Sequence, residues 1–269
     1  MTTTDTTSQL PLATAREGSV RHWAGITWLL AKRTFRLRYL GSRLGLGWAF
    51  VQPVVQAAVL TFLFTEVFKV HRVPHYPLYV LSGIMTWQTF AGGVNAATTS
   101  AVDNAALLRK IPMPALVFPL SQVLSVLLVF AMQVVVLVAG AAAFGTLGVR
   151  VLLLPVVLLL LGLIAAGIGS FTCAFHPAAR DVKFLVESAL LMLFYATPIL
   201  YDPSRVPPTL RGFLAVNPMY GVVALARTAL LEQPLDVPAL AISFGASALF
   251  VAVGLLVFRR RSAAFADLA

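Results

Sequence analysis

Residues 32–68 leave this chain few choices. They begin with a basic, aromatic run, Lys32-Arg33-Thr34-Phe35-Arg36-Leu37-Arg38-Tyr39. Leu40-Gly41-Ser42-Arg43-Leu44-Gly45 follows, and then an apolar run fills residues 46–68. Within that run the strongly polar residues are Gln52 and Gln56, in its first half, and Glu66, near its end. Twenty-three residues in a helix rise roughly 34 Å, enough to cross a hydrocarbon core of about 30 Å. A cationic surface segment, a glycine-containing bend and a membrane-length helix therefore follow one another without a gap.

The rest of the chain is built of similar material. Hydrophobic residues make up 59% of its 269 positions and charged residues only 11%, against about 25% charged in an ordinary soluble domain. The formal charge of +10 raises the question of nucleic acid. Most of the cations flank apolar spans, however, so membrane orientation explains them better. Cys173 is the single cysteine, which excludes an intrachain disulfide and a multi-cysteine metal site. His71 and His75 have helical spacing, but Val73-Pro74 between them opposes a helix, so they read as loop histidines.

Taken in order, residues 1–20 are Thr-rich and read as a disordered cytoplasmic tail without a cleavable signal sequence. Residues 21–44 form an amphipathic interfacial segment. On a helical wheel Trp23, Ile26, Leu30 and Leu37 share one side and Lys32, Arg36 and Arg43 another, with Trp28, Phe35 and Tyr39 as an aromatic strip. A transmembrane domain, residues 45–262, carries spans near 46–68, 78–99, 115–143, 151–175, 184–200 and 238–258. Residues 263–269 form a short cytoplasmic tail. Residues 202–237, with five prolines, are too polar and broken for a span and read as a re-entrant or interfacial helix pair. The expected fold is thus all-α and integral to the membrane, with six transmembrane helices. Placing both termini in the cytoplasm puts 14 Lys and Arg inside and 6 outside, as the positive-inside rule favours.

The chemistry is sparse. There is no phosphate-binding G-x-x-x-x-G-K-[ST] loop, no H-E-x-x-H and no G-x-S-x-G. Glu66 and Glu187 are the nearest acidic groups to the membrane interior, both near span ends, and a proton-coupled transporter would need more. A many-span chain with no energy source of its own points to a partner that supplies one. The surface helix and a short helix at residues 101–110, stopped by Pro112, are the two cytoplasmic features able to receive force.

Arg36-Leu37-Arg38-Tyr39, then Ser42, Leu44-Gly45, Trp48 and Pro53, resemble the entry signature of ABC-2 type permeases that export polysaccharides: O-antigen, capsule and teichoic acid. Gly83-Ile84-Met85-Thr86-Trp87-Gln88-Thr89-Phe90 is similar to that family's second span, and residues 104–114 to its coupling loop. Arg180-Asp181, Thr197-Pro198-Ile199-Leu200-Tyr201, Asn217-Pro218 and Arg227 match later landmarks. One departure is Arg33-Thr34-Phe35, where many relatives carry an acidic residue.

The resemblance implies a homodimer docked on two copies of a separate ATPase, with ATP and Mg on that partner and no cofactor on this chain. Asn104, Leu107, Leu108, Arg109 and Lys110 would couple to the ATPase. Lys32, Arg36, Arg38, Tyr39 and Arg43 would meet the lipid-linked head at the entrance, since cationic clusters at a membrane surface recognise phosphates. Membrane orientation alone also explains those cations. Phe62, Phe64, Phe68, Trp87, Phe90, Phe194, Tyr195 and Tyr201 are pore-lining candidates, because sugar C–H faces stack on rings. Lipid contact and helix packing are the plainer uses of the same residues. Export of a drug or small lipid, and a six-span membrane enzyme, remain alternative readings.

Overall fold

The computed structural model describes residues 20–39, 41, 43–69, 73–110 and 113–261, without the side chains of Arg109 and Ala215. The expected tail at 263–269, and that at 1–20 apart from Val20, lie outside these residues, as does His71. The described residues form ten α-helices: α1 Val20–Tyr39, α2 Trp48–Phe62, α3 Tyr76–Asp103, α4 Ala105–Lys110, α5 Val117–Ala143, α6 Leu154–Cys173, α7 Val182–Ala196, α8 Arg211–Val216, α9 Pro218–Leu231 and α10 Val237–Arg261. No strand occurs among them.

Four helical segments are long and apolar enough to cross a membrane: Gly45–Val67, Val117–Ala143, Val149–Cys173 and Val237–Arg261. A fifth candidate is a pair bent by 90°, Pro208–Leu214 with Pro218–Leu231. The first of these segments joins α2 to a short 3-10 turn before it and a π turn, Leu63–Val67, after it.

The bundle is arranged around α3, which packs against α2, α5, α6, α7 and α9. Its burial explains its composition. Ser82, Thr86, Thr89, Thr98 and Ser100 are all buried inside protein. There their hydroxyls can bond the backbone of their own helix, as Thr89 does to the Met85 carbonyl and Thr98 to that of Val94, each at 2.8 Å. A helix surrounded by protein need not be apolar throughout. Helix α10 lies against α6 and α9. A side chain at Gly167 would meet the backbone of Phe250, and one at Gly254 the carbonyl of Gly167, so the bare α-carbons set how closely α6 and α10 approach.

Helix α1 docks on α5. Ala31 is fully buried there, Trp23, Ile26, Thr27, Leu30 and Thr34 are half-buried, and the Gln122 amide lies 3.5 Å from the Thr34 hydroxyl. The wheel placed Leu37 with Trp23, Ile26 and Leu30, but Leu37 is exposed. The small Ala31 is the most deeply buried residue of α1. Lys32, Arg33, Arg36 and Arg38 stay exposed.

Pro53 lies inside α2 and is buried. Having no N–H, it leaves the carbonyl of Ala49, four residues back, without its helical donor. Gln133 of α5 donates its side-chain amide to that carbonyl at 2.7 Å. Gln133 is itself buried, so each group satisfies the other. Gln133→Leu is therefore expected to lower stability by about 1–3 kcal/mol, the cost of a buried unpaired carbonyl. Adding Pro53→Ala, which supplies the missing N–H, should recover most of it. Thermal unfolding of the wild-type protein and the two variants in detergent checks this: a double variant no more stable than Gln133→Leu would contradict the pairing.

Candidate functional site

The most concentrated polar assembly sits at the end of the bundle where α3 begins and α7 ends. Helix α7 stops because Thr197 is followed by Pro198, which has no N–H to continue it. The chain then runs irregularly through residues 198–201, exposing four successive carbonyls. Each receives a side-chain donor. Arg227 of α9 donates Nη1 to Pro198 and Nη2 to Ile199, both at 2.8 Å. The Tyr76 hydroxyl donates to Leu200 at 2.7 Å, and that of Tyr79 to Tyr201 at 2.8 Å. The Arg227 guanidinium also lies over the Tyr79 ring, 3.4 Å from its centre.

Arg227 is buried, 2% exposed, and no carboxylate lies within ion-pair distance of it among the described residues. Carbonyl dipoles and a ring face carry its charge instead. Gly83 makes room, since a side chain there would stand 3.0 Å from the Ile199 methyl and 3.2 Å from Arg227 Nη2. Asn217 completes the knot. Its amide donates to the Thr197 hydroxyl at 2.8 Å, and its Oδ1 accepts from Met219 N–H at 3.0 Å, capping α9 ahead of Pro218. A cavity of about 440 Å³ opens beside it, lined by Tyr79, Asp202, Tyr220, Arg227 and Asp236 among others. Within it the Tyr220 hydroxyl donates to Asp236 at 2.8 Å. Motifs that are separate in sequence, Gly83, residues 197–201, Asn217-Pro218 and Arg227, thus meet at one place.

The opposite end carries the basic groups. Lys32, Arg36 and Arg38 are exposed on α1, Tyr39 is half-buried, and Arg43 is exposed in the bend. Burial raises the Tyr39 phenol above its ordinary pKa, against the opposing influence of Arg38. A groove of about 430 Å³ runs along α1 between Leu29, Lys32, Arg33, Arg36 and Leu37. Helix α4 is held by Asn104, whose side chain donates to the Ser100 carbonyl at 2.9 Å and whose own carbonyl accepts from the N–H groups of Leu107 and Leu108. Leu108 packs on a small cluster of Ala101, Cys173, Ala174 and Phe258, while Lys110 is exposed. The Arg109 side chain is outside the described residues.

The aromatic candidates fall into two groups. Phe64 touches Phe68 and Tyr76. Trp87, Phe90, Phe194 and Tyr195 form a continuous chain of ring contacts, and the Tyr201 hydroxyl reaches the Tyr195 carbonyl at 3.3 Å. Phe62, Phe68 and Tyr195 are exposed, and Phe64, Phe194 and Tyr201 half-buried, whereas Trp87 and Phe90 are buried within the protomer. Glu187 pairs with Lys183 at 4.0 Å on the surface of α7. No cluster of three His, Cys, Asp or Glu able to hold a metal occurs among the described residues.

The described residues thus form a helical bundle with membrane-length apolar segments, its irregular stretches tied by polar side chains. The ABC-2 type transporter family matches residues 26–231, and the chain belongs to that family. Its members of this type are transport components. The chain is 24% identical over 242 residues to the O-antigen export system permease protein RfbA of Klebsiella pneumoniae, covering 89% of this chain and 93% of that one. A second Klebsiella pneumoniae protein of the same name is 25% identical over the same shares. The protein of that name from Myxococcus xanthus is 30% identical over 204 residues, covering 75% of this chain and 78% of its own.

Two outcomes follow from this geometry. Arg227→Met orphans two buried carbonyls and should cost about 3 kcal/mol or more. The exposed Arg205→Met should stay within about 0.5 kcal/mol. Thermal midpoints of the purified proteins compare them, and equal midpoints would remove Arg227 from its structural role. His176, in the turn after α6, is buried with Nδ1 unpartnered among the described residues. Burial holds its imidazole below the ordinary pKa, with Arg180 and Lys183 acting in the same direction and Asp103 opposing. The unfolded chain takes up a proton first, so this contribution to stability is complete above about pH 6.5. It falls as pH drops from there toward the lowered folded value. His176→Gln should flatten that part of a stability-against-pH profile.

Proposed function

We propose that this chain is the membrane subunit of an ATP-driven exporter that moves a polysaccharide or lipid-linked glycan outward across a bacterial plasma membrane. The observation that carries this reading is the extent of the match. It runs over 93% of the length of permeases named for O-antigen export, which leaves no part of the comparison to a stray domain.

Six spans complete the plan. Helix α3, at 28 residues, rises about 42 Å and is polar because protein surrounds it. Helix α7, at 15 residues, rises only about 22 Å. Residues 197–201 extend it to the level where α3 begins. Helices α8 and α9 form a re-entrant pair on the outer side, α1 lies along the inner surface, and both termini are cytoplasmic. A single protomer leaves α2 and α7 poorly covered. Val55, Val59 and Phe62 of the one, and Leu185, Leu191, Met192 and Tyr195 of the other, are exposed. Pairing of two copies along these helices supports a homodimer with the pore at its interface, and the exposed rings Phe62, Phe68 and Tyr195 are suitably placed to line it. The ATPase, with its ATP and Mg, is a separate chain that pushes on α4 and α1. Cations of α1 attract the phosphate-bearing head of the incoming lipid.

The test is co-expression with a candidate ABC ATPase from the same genome, purification, and ATP hydrolysis in lipid with and without undecaprenyl-linked glycan. A two-plus-two complex whose turnover changes with glycan is the expected result, and Lys110→Glu should keep the complex while weakening that response. Turnover indifferent to glycans would move the cargo to a drug or small lipid. Failure of any ATPase to bind would reopen the enzyme alternative.

A further inference from the structure

Helix α3 is buried around most of its circumference, but a stripe from its middle to its C-terminal end is partly open. Gln88, Asn95 and Thr99 are half-exposed at spacings of seven and four, and Asp103 is exposed four residues on. At 100° per residue these four lie within an arc of about 80°. Helix α2 runs antiparallel beside it, since Gln56 meets Gln88 and Phe64 meets Tyr76. It adds two exposed glutamines one turn apart, Gln52 and Gln56. The Gln88 amide donates to Gln56 Oε1 at 2.7 Å, and the Thr99 hydroxyl to Asp103 Oδ2 at 2.6 Å. Asn95 Oδ1 is itself enclosed and has no partner among the described residues.

Depth makes this arrangement informative. Gln56 is near the middle of the segment Gly45–Val67, and Gln88 near the middle of α3. An amide facing hydrocarbon at mid-bilayer is costly, because nothing there replaces water. The surfaces of α6 and α10 show what a lipid face looks like in this chain: Val149, Leu152 and Leu159 on one segment, Phe244, Leu249 and Leu256 on the other, all exposed and apolar. The stripe is built otherwise. It also runs to the basic end, and Asp103 lies two residues before α4 begins.

We infer that Gln52, Gln56, Gln88, Asn95 and Thr99 line a water-filled inner half of the translocation path and touch the hydroxyls of the passing glycan. The reading rests on the export function proposed above and deepens it. Neutral amides both donate and accept, which suits a hydroxyl-rich polymer. Without charge along most of their length they do not hold it tightly. The aromatic rings near the outer end then take over from hydrogen-bonding groups along the same route.

Cys173 is the only cysteine and is buried, so a Cys173→Ala background permits a direct test. Gln56→Cys, Gln88→Cys, Asn95→Cys and Thr99→Cys are compared with Leu159→Cys and Leu249→Cys, each in the complex with its ATPase in inside-out vesicles. A charged methanethiosulfonate is the probe. The stripe positions should react at least about tenfold faster than the two leucine positions, because the thiolate forms in water and not in hydrocarbon. Undecaprenyl-linked glycan should slow them. Rates equal to those at the leucine positions would overturn the inference. So would oxidative cross-linking of Gln56→Cys between two copies without labelling, which would make the stripe a closed protein interface. Fast labelling without protection would overturn the sugar contact. If ATP turnover still answers to glycan in that case, the export function stands and only this assignment of residues fails.

Discussion

Irregular backbone enclosed in a helical bundle is tolerated only where its carbonyls find partners. In this protein that condition is met at residues 198–201, where four consecutive carbonyls are taken up by Arg227, Tyr76 and Tyr79. Without these donors α7 could not end where it does, and α9 could not turn back against α3. The bond network explains why an arginine is used. A planar guanidinium reaches two adjacent carbonyls at once and still presents a face to an aromatic ring, which an ammonium group cannot do. It also explains the neighbouring glycine, since Gly83 leaves the space that Arg227 and Ile199 occupy.

The same logic operates at smaller scale elsewhere. Pro53 removes one donor from α2, and Gln133 restores it from α5. Asn217 caps α9 and at the same time fixes Thr197 at the end of α7. Ser243 of α10 donates to the carbonyl of Pro218 at 2.6 Å. In each case a break in regular helix is paired with a polar side chain from another helix. These bonds do more than close local gaps. They join elements far apart in sequence where apolar contact alone gives little direction, because lipid tails are as apolar as the helices themselves.

Much of this architecture was legible in the chain as written. The apolar runs, their lengths and the prolines that end them follow from hydropathy and backbone chemistry, and the order of short motifs pointed to the family. What could not be read was convergence. Gly83, Thr197, Asn217 and Arg227 span 145 positions, and no local pattern says that they touch. Gln133 looked like an ordinary polar residue in an apolar run, and the signal that explains it lies 80 positions earlier, at Pro53. Periodicity put Leu37 on the side of Trp23, Ile26 and Leu30, but it could not say that α1 docks on α5 with the small Ala31 as its most deeply buried residue. Trp87 and Phe90 were chosen for their rings, but periodicity cannot tell a ring that faces a neighbouring helix from one that faces a channel.

Polar residues in this bundle therefore divide by what surrounds them. Those at the end of α7 and in the core of α3 are enclosed, with nearly all their bonds made inside the protomer, and they hold elements in place. Gln56 is open and Gln88 and Thr99 are partly so, while the enclosed Asn95 Oδ1 has no partner among the described residues. A membrane protein that only needed to be stable would have little reason to keep amides on an open face at mid-bilayer, since leucine there would be favoured in lipid. Retaining them makes sense when the face meets water and a hydrated cargo. The enclosed set fixes where α2, α3 and α7 stand relative to one another, and on the path inferred above that placement turns an otherwise unfavourable stripe of amides into a surface that suits a sugar polymer.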